Sequence, residues 1–360
     1  MNAHETPRGT RMMWVARVKA IWARAQGTGS TARTCASACT GAVHHTVRPG
    51  RRSASCHAAG VTVERTRWRG EPALVLRAGP TVATVLPDLG MTGVALRHDG
   101  RAYLAAPGGP DALRGGHTLG LPLLAPWANR LGSRRYRVGR VEVDLRRYAG
   151  HTDANGLPIH GLLVGAGGWR VGAARGGRDS ATLTATRDLD DPAFPFPHRI
   201  EVRWSLRPGR LTVRTTVVPT GRRRVPVAFG WHPYLRVPGA PRSRWRLGLP
   251  PRTHLALNAR GVPTGVRAAV PGEAAPIGRR TFDDLYALGA RRVLTLATDA
   301  HAVEVRADRG YPFAQVWVPP GRAFVALEPM TVATSALVSG GVPTVAPGDT
   351  FSAAFALVLR

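Results

Sequence analysis

The stretch from Val202 to Val217, VRWSLRPGRLTVRTTV, is the clearest structural signal in this chain of 360 residues. Residues suited to one face of a sheet recur at every second position before and after a central turn: Val202, Trp204, Leu206, Leu211, Val213, Thr215 and Val217. Such alternation is the pattern of a strand with one buried face. The intervening Arg207-Pro208-Gly209-Arg210 contains turn residues. The stretch therefore predicts a β-hairpin.

Short β segments of the same kind continue along the chain from Val61. Those within residues 61–104 read VTVERTRW, PALVLRAG, TVATVLPDLG and MTGVALRHDG, punctuated by Gly or Pro. More strands are expected at 302–306, 313–318, 323–328 and 351–359. The 42 glycines and 30 prolines indicate many turns and few long helices. We predict one all-β domain over residues 59–360, formed as a large antiparallel β-sandwich.

Residues 1–58 differ in composition from the rest of the chain. They contain nine basic residues and a single acid, Glu5, and from Thr28 they are rich in Ser, Thr, Ala and Gly. We predict a disordered basic N-terminal extension. All three cysteines, Cys35, Cys39 and Cys56, lie in this segment, so neither a disulfide framework nor a thiolate metal site is expected in the main domain. A reducing compartment fits this distribution, and we expect a cytoplasmic protein.

The formal net charge of +28 raises the question of nucleic-acid binding. Of the 50 basic residues only Lys19 is a lysine, and the arginines are scattered singly apart from short clusters such as Arg222-Arg223-Arg224. A binding stripe would concentrate its charge on one element and interleave aromatic residues. The pattern therefore argues against a specific nucleic-acid partner. No apolar run is long enough to span a membrane, so no membrane partner is expected.

Two segments combine polar residues with stiff or small neighbours. The first, Gly120–Arg130 (GLPLLAPWANR), ends in Asn129 and Arg130 after a proline-stiffened run. The arginine fork suits hydroxyls or carboxylates, although a surface turn with a salt-bridging arginine also explains it. The second, Asn155–Gly161 (NGLPIHG), places His160 before a glycine that permits close approach of a ligand. A structural histidine is the alternative there.

Two further segments contain an acid candidate and a base candidate. Ala228–Leu235, AFGWHPYL, holds His232 between a tryptophan and a Pro-Tyr pair. It is either a core aromatic cluster or a histidine held in place for chemistry. Leu327–Thr331, LEPMT, puts Glu328 at the end of an apolar strand. Burial there would raise the pKa of the carboxyl group toward the range of a general base, and a rim carboxylate paired with an arginine is the alternative.

Taken together and in this order, the segments resemble the aldose 1-epimerase (galactose mutarotase-like) family. The matching landmarks are GLPLLAPWANRLG at 120–132, IHG at 159–161, GWHPYL at 230–235, FDDLY at 282–286 and ALEPMT at 326–331. Each motif alone has little specificity, whereas their succession is specific. The resemblance runs from about Val61 to the C-terminus and implies the large antiparallel β-sandwich of that family.

The resemblance implies an isomerase that interconverts the α and β anomers of a free aldose by acid/base ring opening and closure. It assigns the acid to His232 and the base to Glu328. The substrate-binding residues are expected to be Arg130, His160, Asp283, Asn129, Trp231 and Tyr234. Trp127 is a further aromatic candidate, and for it, Trp231 and Tyr234 the alternative is a place in the core. The reaction needs no metal and no cofactor, so neither is expected.

The chain departs from the family pattern at three positions. Ser335 stands where relatives often have Asn, Leu235 where many have Phe, and Asp284 where His or Thr is frequent. The change at Ser335 removes a possible contact with substrate. These differences bear on the sugar preference more than on the chemistry.

Two other functions are compatible with the same residues. A hexose-phosphate mutarotase on the same fold would use some of the arginines to hold a phosphate. A non-catalytic carbohydrate-binding protein would keep the aromatic residues and Asp283 but lose the acid or the base, and both are present here. We expect a small-molecule sugar as the partner, and a monomer or weak dimer.

Overall fold

The computed structural model describes residues 63–360, and antiparallel strands make up most of them. The predicted extension, residues 1–58, lies outside the described residues, and so do the three cysteines. The strands of the first half are β1 (Val63–Trp68), β2 (Glu71–Ala78), β3 (Thr81–Leu86), β4 (Thr92–His98), β5 (Arg101–Ala102), β6 (Leu123–Leu124), β7 (Arg135–Val138), β8 (Val141–Asp144), β9 (Arg170–Gly177), β10 (Ser180–Asp191), β11 (Phe194–Arg207), β12 (Arg210–Pro219) and β13 (Val225–Pro226).

The strands of the second half are β14 (Gly230–Trp231), β15 (Tyr234–Leu235), β16 (Arg246–Leu249), β17 (Arg252–Leu257), β18 (Pro263–Val270), β19 (Glu273–Pro276), β20 (Phe282–Leu288), β21 (Val293–Ala297), β22 (Ala302–Ala307), β23 (Phe313–Val318), β24 (Val325–Met330), β25 (Thr344–Val345) and β26 (Phe351–Leu359). The helical segments are short: α1 (Pro110–Arg114), α2 (Ala336–Ser339) and a 3-10 turn at Arg242–Arg244. Across residues 63–360, no helix has the length and apolar character needed to cross a membrane.

The predicted hairpin is confirmed as β11 and β12. Trp204 pairs with Val213, and Arg207 pairs with Arg210 across the turn. Trp204 and Val213 are fully buried, as the alternation predicts. The hairpin lies within a nine-stranded sheet of order β19-β16-β21-β22-β26-β12-β11-β10-β9.

A second large sheet packs against the first. It has eight strands in the order β18-β17-β20-β23-β24-β14-β6, with β15 pairing to β24. The rings of Trp231 in β14 and Trp204 in β11 lie 5.8 Å apart between centroids. Trp231 Nε1 also donates a hydrogen bond to Thr215 Oγ1 of β12 at 3.0 Å. The two sheets thus enclose a common core, and the predicted all-β sandwich of antiparallel sheets is confirmed.

Pleating divides the eight-stranded sheet into a core face and a polar face, because successive side chains of a strand point to opposite sides. On β24, Leu327 belongs to the main core, and its neighbour Glu328 points the other way. On β23, Val316 belongs to the main core. Its neighbour Gln315 pairs directly with Glu328, and the two side chains share the polar face.

The five-stranded sheet β1-β2-β3-β4-β5 covers part of the polar face. A second apolar cluster joins Leu86 of β3 and Val94 of β4 to Leu285 of β20 and Met330 of β24. All four side chains are buried. Because these contacts occupy one part of the face, the polar side chains are confined to the remainder.

Candidate active site

The acid and base candidates lie side by side on the polar face. Gly230 of β14 pairs with Met330 of β24, and the same antiparallel register brings His232 opposite Glu328. His232 Nε2 is 3.2 Å from Glu328 Oε1. The two residues expose only 5% and 2% of their surface. Two motifs that are far apart in the sequence therefore form one buried pair.

Each member of the pair has a polar atom without a partner. Among residues 63–360, Glu328 Oε2 and His232 Nδ1 are buried and make no hydrogen bond, and the same holds for His160 Nδ1 and Gln315 Oε1. Leaving such a group unsatisfied costs about 1–3 kcal/mol, so most buried polar atoms are paired. A group of unpartnered atoms around one buried pair indicates a surface prepared for a polar ligand.

Burial governs the protonation of the pair. It raises the pKa of Glu328 well above its ordinary value, the negative charge of Asp283 raises it further, and Arg130 acts in the opposite direction. Burial lowers the pKa of His232 to about 3. Without substrate, the pair therefore favours a proton on Glu328 and a neutral imidazole beside it.

His160 is half-buried and lies next to His232. Their rings meet edge-on, with 5.6 Å between centroids and 86° between planes. Burial lowers the pKa of His160 well below its ordinary value, and the positive charge of Arg130 lowers it further. A neutral imidazole offers one donor and one acceptor nitrogen, which suits a sugar hydroxyl.

An unusual backbone conformation brings Asn129 and His160 together. Both have positive φ, 53° and 64°, a strained conformation that concentrates at functional sites. The His160 N–H donates to the Asn129 carbonyl at 2.8 Å. The Asn129 Oδ1 accepts a hydrogen bond from the Arg130 N–H at 2.9 Å. The Asn129 side chain is thus used to shape the loop that presents Arg130 and His160.

Asp283 and Gln315 form a second polar pair beside the first. Asp283 lies on β20 and is exposed at the rim of the site. Its Oδ1 accepts a hydrogen bond from Gln315 Nε2 at 2.7 Å. Gln315 is 1% exposed and lies directly across from Glu328. The free oxygens of Asp283 and Gln315 are acceptors for ligand hydroxyls.

An aromatic wall, defined here as Tyr234, Trp317 and Phe324, flanks the acid/base pair. Tyr234 stacks on His232 with 4.7 Å between centroids and 21° between planes, and its hydroxyl is 2.7 Å from Thr118 Oγ1. Trp317 meets His232 edge-on at 5.7 Å. Phe324 packs on both Tyr234 and Trp317. The wall fixes the imidazole plane and presents apolar surface that suits the C–H face of a sugar.

Two tryptophans that the sequence suggested for sugar packing lie in the core. Trp231 precedes His232, and the pleat turns it to the opposite side, where it is fully buried. Its indole packs against Trp204 and Phe355. Trp127 is also a buried member of the main core. The structure does not bring Trp231 to the polar face, so its predicted contact with substrate is corrected to a role in the core.

Three residues of the polar face were missed in the sequence: Gln315, Trp317 and Phe324. Gln315 and Trp317 stand two apart on the expected strand 313–318, and Phe324 lies in the next expected strand with Glu328. Because side chains alternate along a strand, Gln315 and Trp317 share one face of their strand, and Phe324 and Glu328 share one face of theirs. The missing information was the register between the two strands, which pairs Gln315 with Glu328.

The side chains of this face suit proton transfer and hydrogen bonding. Within residues 63–360, no group of three or more His, Cys, Asp or Glu side chains is arranged to hold a metal ion. The donors and acceptors around the pair are imidazole, carboxyl, amide and guanidinium groups. Together with an aromatic wall they match a neutral, hydroxyl-rich ligand.

Comparison with known proteins identifies the family. The family model described as aldose 1-epimerase matches residues 97–357. This range includes all of the predicted site residues. A comparison with curated proteins gives no significant sequence match.

Several solved structures share the fold. A galactose mutarotase-like protein from Clostridium acetobutylicum has a TM-score of 0.74 and 20% identity, covering 83% of this chain and 98% of that chain. Galactose 1-epimerase from Lactobacillus acidophilus has a TM-score of 0.68 and 15% identity, with coverage of 84% and 99%. A galactose mutarotase-like protein from Lactobacillus casei has a TM-score of 0.63 and 19% identity, with coverage of 80% and 100%. Identities this low show the fold alone, whereas the family match spans most of the sequence, and the chain belongs to the aldose 1-epimerase family.

Proposed function

We propose that this protein is a mutarotase, an isomerase that interconverts the α and β anomers of a free aldose by opening and closing the sugar ring. The observation that carries the proposal is the buried contact of 3.2 Å between His232 Nε2 and Glu328 Oε1. Both residues keep an unpartnered polar atom. Membership of the aldose 1-epimerase family supports the reaction type.

The reaction needs a base for the proton of the C1 hydroxyl and an acid for the ring oxygen. Burial favours one proton on Glu328 in the resting pair. Transfer of that proton from Glu328 Oε1 to His232 Nε2, across 3.2 Å, creates a carboxylate and an imidazolium together, without exchange with solvent. One buried proton thus provides both catalytic forms.

The ring then opens and closes by reversible proton transfers. Glu328 removes the C1 hydroxyl proton, His232 protonates the ring oxygen, and the bond between C1 and that oxygen breaks. Rotation about the C1–C2 bond exposes the other face of the aldehyde. The reverse transfers close the ring there, so that Glu328 and His232 return to their starting states.

The neighbouring groups would bind and orient the sugar. Arg130 and His160 would donate hydrogen bonds to the sugar and stabilise the charge that develops at its ring oxygen. Asp283 and Gln315 would accept hydrogen bonds from other hydroxyls. The aromatic wall would contact the C–H face of the ring. Because the acid/base pair is buried, these electrostatic contacts are stronger than they would be in water.

One observation favours a second candidate, a hexose-phosphate mutarotase. A cavity of about 480 Å³ adjoins the aromatic wall, since Phe324 belongs to its lining. Its other lining residues include Arg69, Arg97, Arg236 and Arg322, and within residues 63–360 the lining contains no Asp or Glu. Guanidinium groups suit phosphate oxygens. A sugar phosphate could place its ring at the acid/base pair and its phosphate toward this cavity.

A panel of sugars tests the substrate class. Freshly dissolved α-glucose, α-galactose and other free aldoses are followed by polarimetry, and α-hexose 6-phosphates by NMR, each with and without protein. We expect at least one free aldose to be accelerated more than its phosphate. Acceleration confined to the phosphates would replace the proposal with the second candidate. Binding of sugars without any acceleration would indicate a non-catalytic carbohydrate-binding protein.

A further inference from the structure

Arg130 is held at two of its three guanidinium nitrogens. Its Nε donates to Asp153 Oδ2 at 3.0 Å, and its Nη1 donates to the Gly261 carbonyl oxygen at 3.3 Å. The side chains of Arg130 and Asp153 are only 15% and 9% exposed, so water screens the ion pair weakly. Neither of these two anchors uses the third nitrogen, Nη2. One donor nitrogen of a fixed guanidinium is therefore left for an acceptor other than Asp153 and Gly261.

Asp153 is itself held in a defined orientation. Its Oδ1 accepts hydrogen bonds from the N–H groups of Asn155 at 2.8 Å and Leu157 at 3.0 Å. Its own N–H donates to the Leu157 carbonyl at 2.9 Å. The loop 153–157 thus closes around one carboxylate oxygen, and the other oxygen is directed at Arg130. An ordinary surface ion pair, which contributes little, lacks such constraints.

Gly261 supports the arrangement from the opposite side of the guanidinium. It has a φ of 71°, and a Cβ atom at this position would overlap Arg130 Nη1. A larger residue would strain the backbone and displace the guanidinium. Glycine at this position therefore permits the close approach that the second anchor of Arg130 requires.

The anchored guanidinium acts on the acid/base pair through its charge. Arg130 lowers the pKa of Glu328 against the effects of burial and of Asp283, and it lowers the pKa of His160. A free arginine side chain samples many rotamers. Its distance from Glu328, and hence its effect, is defined only while its anchors hold.

We propose that Asp153 is a positioning residue that fixes Arg130 beside the His232–Glu328 pair, with one guanidinium nitrogen free for the bound aldose. The inference rests on the mutarotase function proposed above. Asp153 acts through Arg130 and not by touching the sugar.

The substitution Asp153→Asn tests this with little disturbance of the loop. The amide keeps one oxygen for the N–H groups of Asn155 and Leu157, and it turns an NH2 group toward Arg130 in place of an acceptor. We expect kcat/KM to fall by about 10- to 100-fold, the effect of displacing a catalytic group by about 1 Å. The unfolding midpoint should stay close to that of the wild type.

The substitution Asp188→Asn is the matched control. Asp188 pairs with Arg170 at 2.7 Å and with Arg199 at 2.8 Å, and these side chains are about half exposed on β9, β10 and β11. The control also removes one negative charge from an aspartate that contacts arginine, but this aspartate lies on the nine-stranded sheet. We expect wild-type activity from it.

The pH profile separates positioning from a merely structural role. The charged or titratable groups that face Glu328 are His232, Asp283, Arg130 and Tyr234. Without its anchor at Asp153, Arg130 spends less time beside the pair, so its positive field on Glu328 weakens. Protonation of the pair then becomes easier, so both limbs of the pH–rate profile should move to higher pH.

The Nε–H resonance of Arg130 in 15N NMR gives a readout that does not depend on activity. We expect slow exchange with water in the wild type and faster exchange in Asp153→Asn. If the wild type is active and the Asp153→Asn variant has the same rate and the same pH profile, the inference is overturned and the mutarotase function stays intact. A wild type that accelerates no free aldose would contradict that function. In that case the exchange rate of the Arg130 Nε–H with water alone tests whether Asp153 fixes Arg130. The same exchange rate in the wild type and in Asp153→Asn would overturn the inference.

Discussion

At the residue scale, the site depends on where a single proton resides. His232 and Glu328 are in contact at 3.2 Å, and burial favours the neutral form of each. A neutral pair avoids two buried charges, and in the proposed mechanism one short proton transfer generates an acid and a base. The sequence predicts both residue types and the chemistry of each. Their direct contact could not be predicted, because it is set by the pairing of β14 with β24.

The substitution His232→Asn should make the fold less sensitive to acid. Burial lowers the folded-state pKa of His232 to about 3, whereas a histidine in an unfolded chain titrates near about 6.5. Between these values the unfolded chain binds a proton that the folded chain does not, so stability falls as pH falls. For the wild type this amounts to about 2 kcal/mol between roughly pH 7 and pH 5. The variant should avoid that loss.

Urea unfolding of both proteins at the two pH values measures the difference. Other titrating groups are common to both proteins, so the change in free energy of unfolding is compared between them. An equal loss in wild type and variant would mean that His232 is protonated in the folded protein.

At the element scale, the pleat of β14, β23 and β24 separates the chemistry from the core. In β11 and β12 one face is polar, so the alternation is visible in the sequence and the hairpin could be predicted. In β24 every residue is buried, and the letters VALEPM do not reveal which face Glu328 occupies. The same difficulty applies to Trp231 and His232, which are both buried. Alternation places them on opposite faces, and only the register of the sheet shows which of the two faces the core.

Two tryptophan substitutions test this assignment. Trp317→Ala removes part of the aromatic wall and should raise KM by about three- to tenfold, from the 0.5–1.5 kcal/mol typical of an aromatic contact. Trp231→Phe removes core volume and the hydrogen bond to Thr215, and should lower the free energy of unfolding by about 1–3 kcal/mol. We expect KM to stay near the wild-type value in Trp231→Phe and to rise only in Trp317→Ala.

Steady-state polarimetry and urea unfolding of the two variants provide both quantities. If Trp231→Phe raised KM and Trp317→Ala left it unchanged, the faces would be assigned the wrong way round.

At the scale of the whole molecule, tertiary contacts assemble motifs that the sequence could only place in order. The all-β class, the antiparallel sandwich and the family could be predicted from alternation, turn residues and the succession of motifs. Gln315 and Asp153 could not, because their contacts with Asp283 and Arg130 join separate strands and loops. The net charge of +28 does not help to locate the site, since it reflects arginines spread along the whole chain.

The rate of anomer exchange in Glu328→Gln tests the acid/base mechanism most directly. Glutamine keeps the size of the side chain, but it can neither accept the C1 hydroxyl proton nor pass a proton to His232. With a free aldose that the wild type accelerates, we predict a rate at least about 100-fold lower in polarimetry, with an unchanged unfolding midpoint. A folded Glu328→Gln variant that exchanges anomers at the wild-type rate would contradict the mechanism.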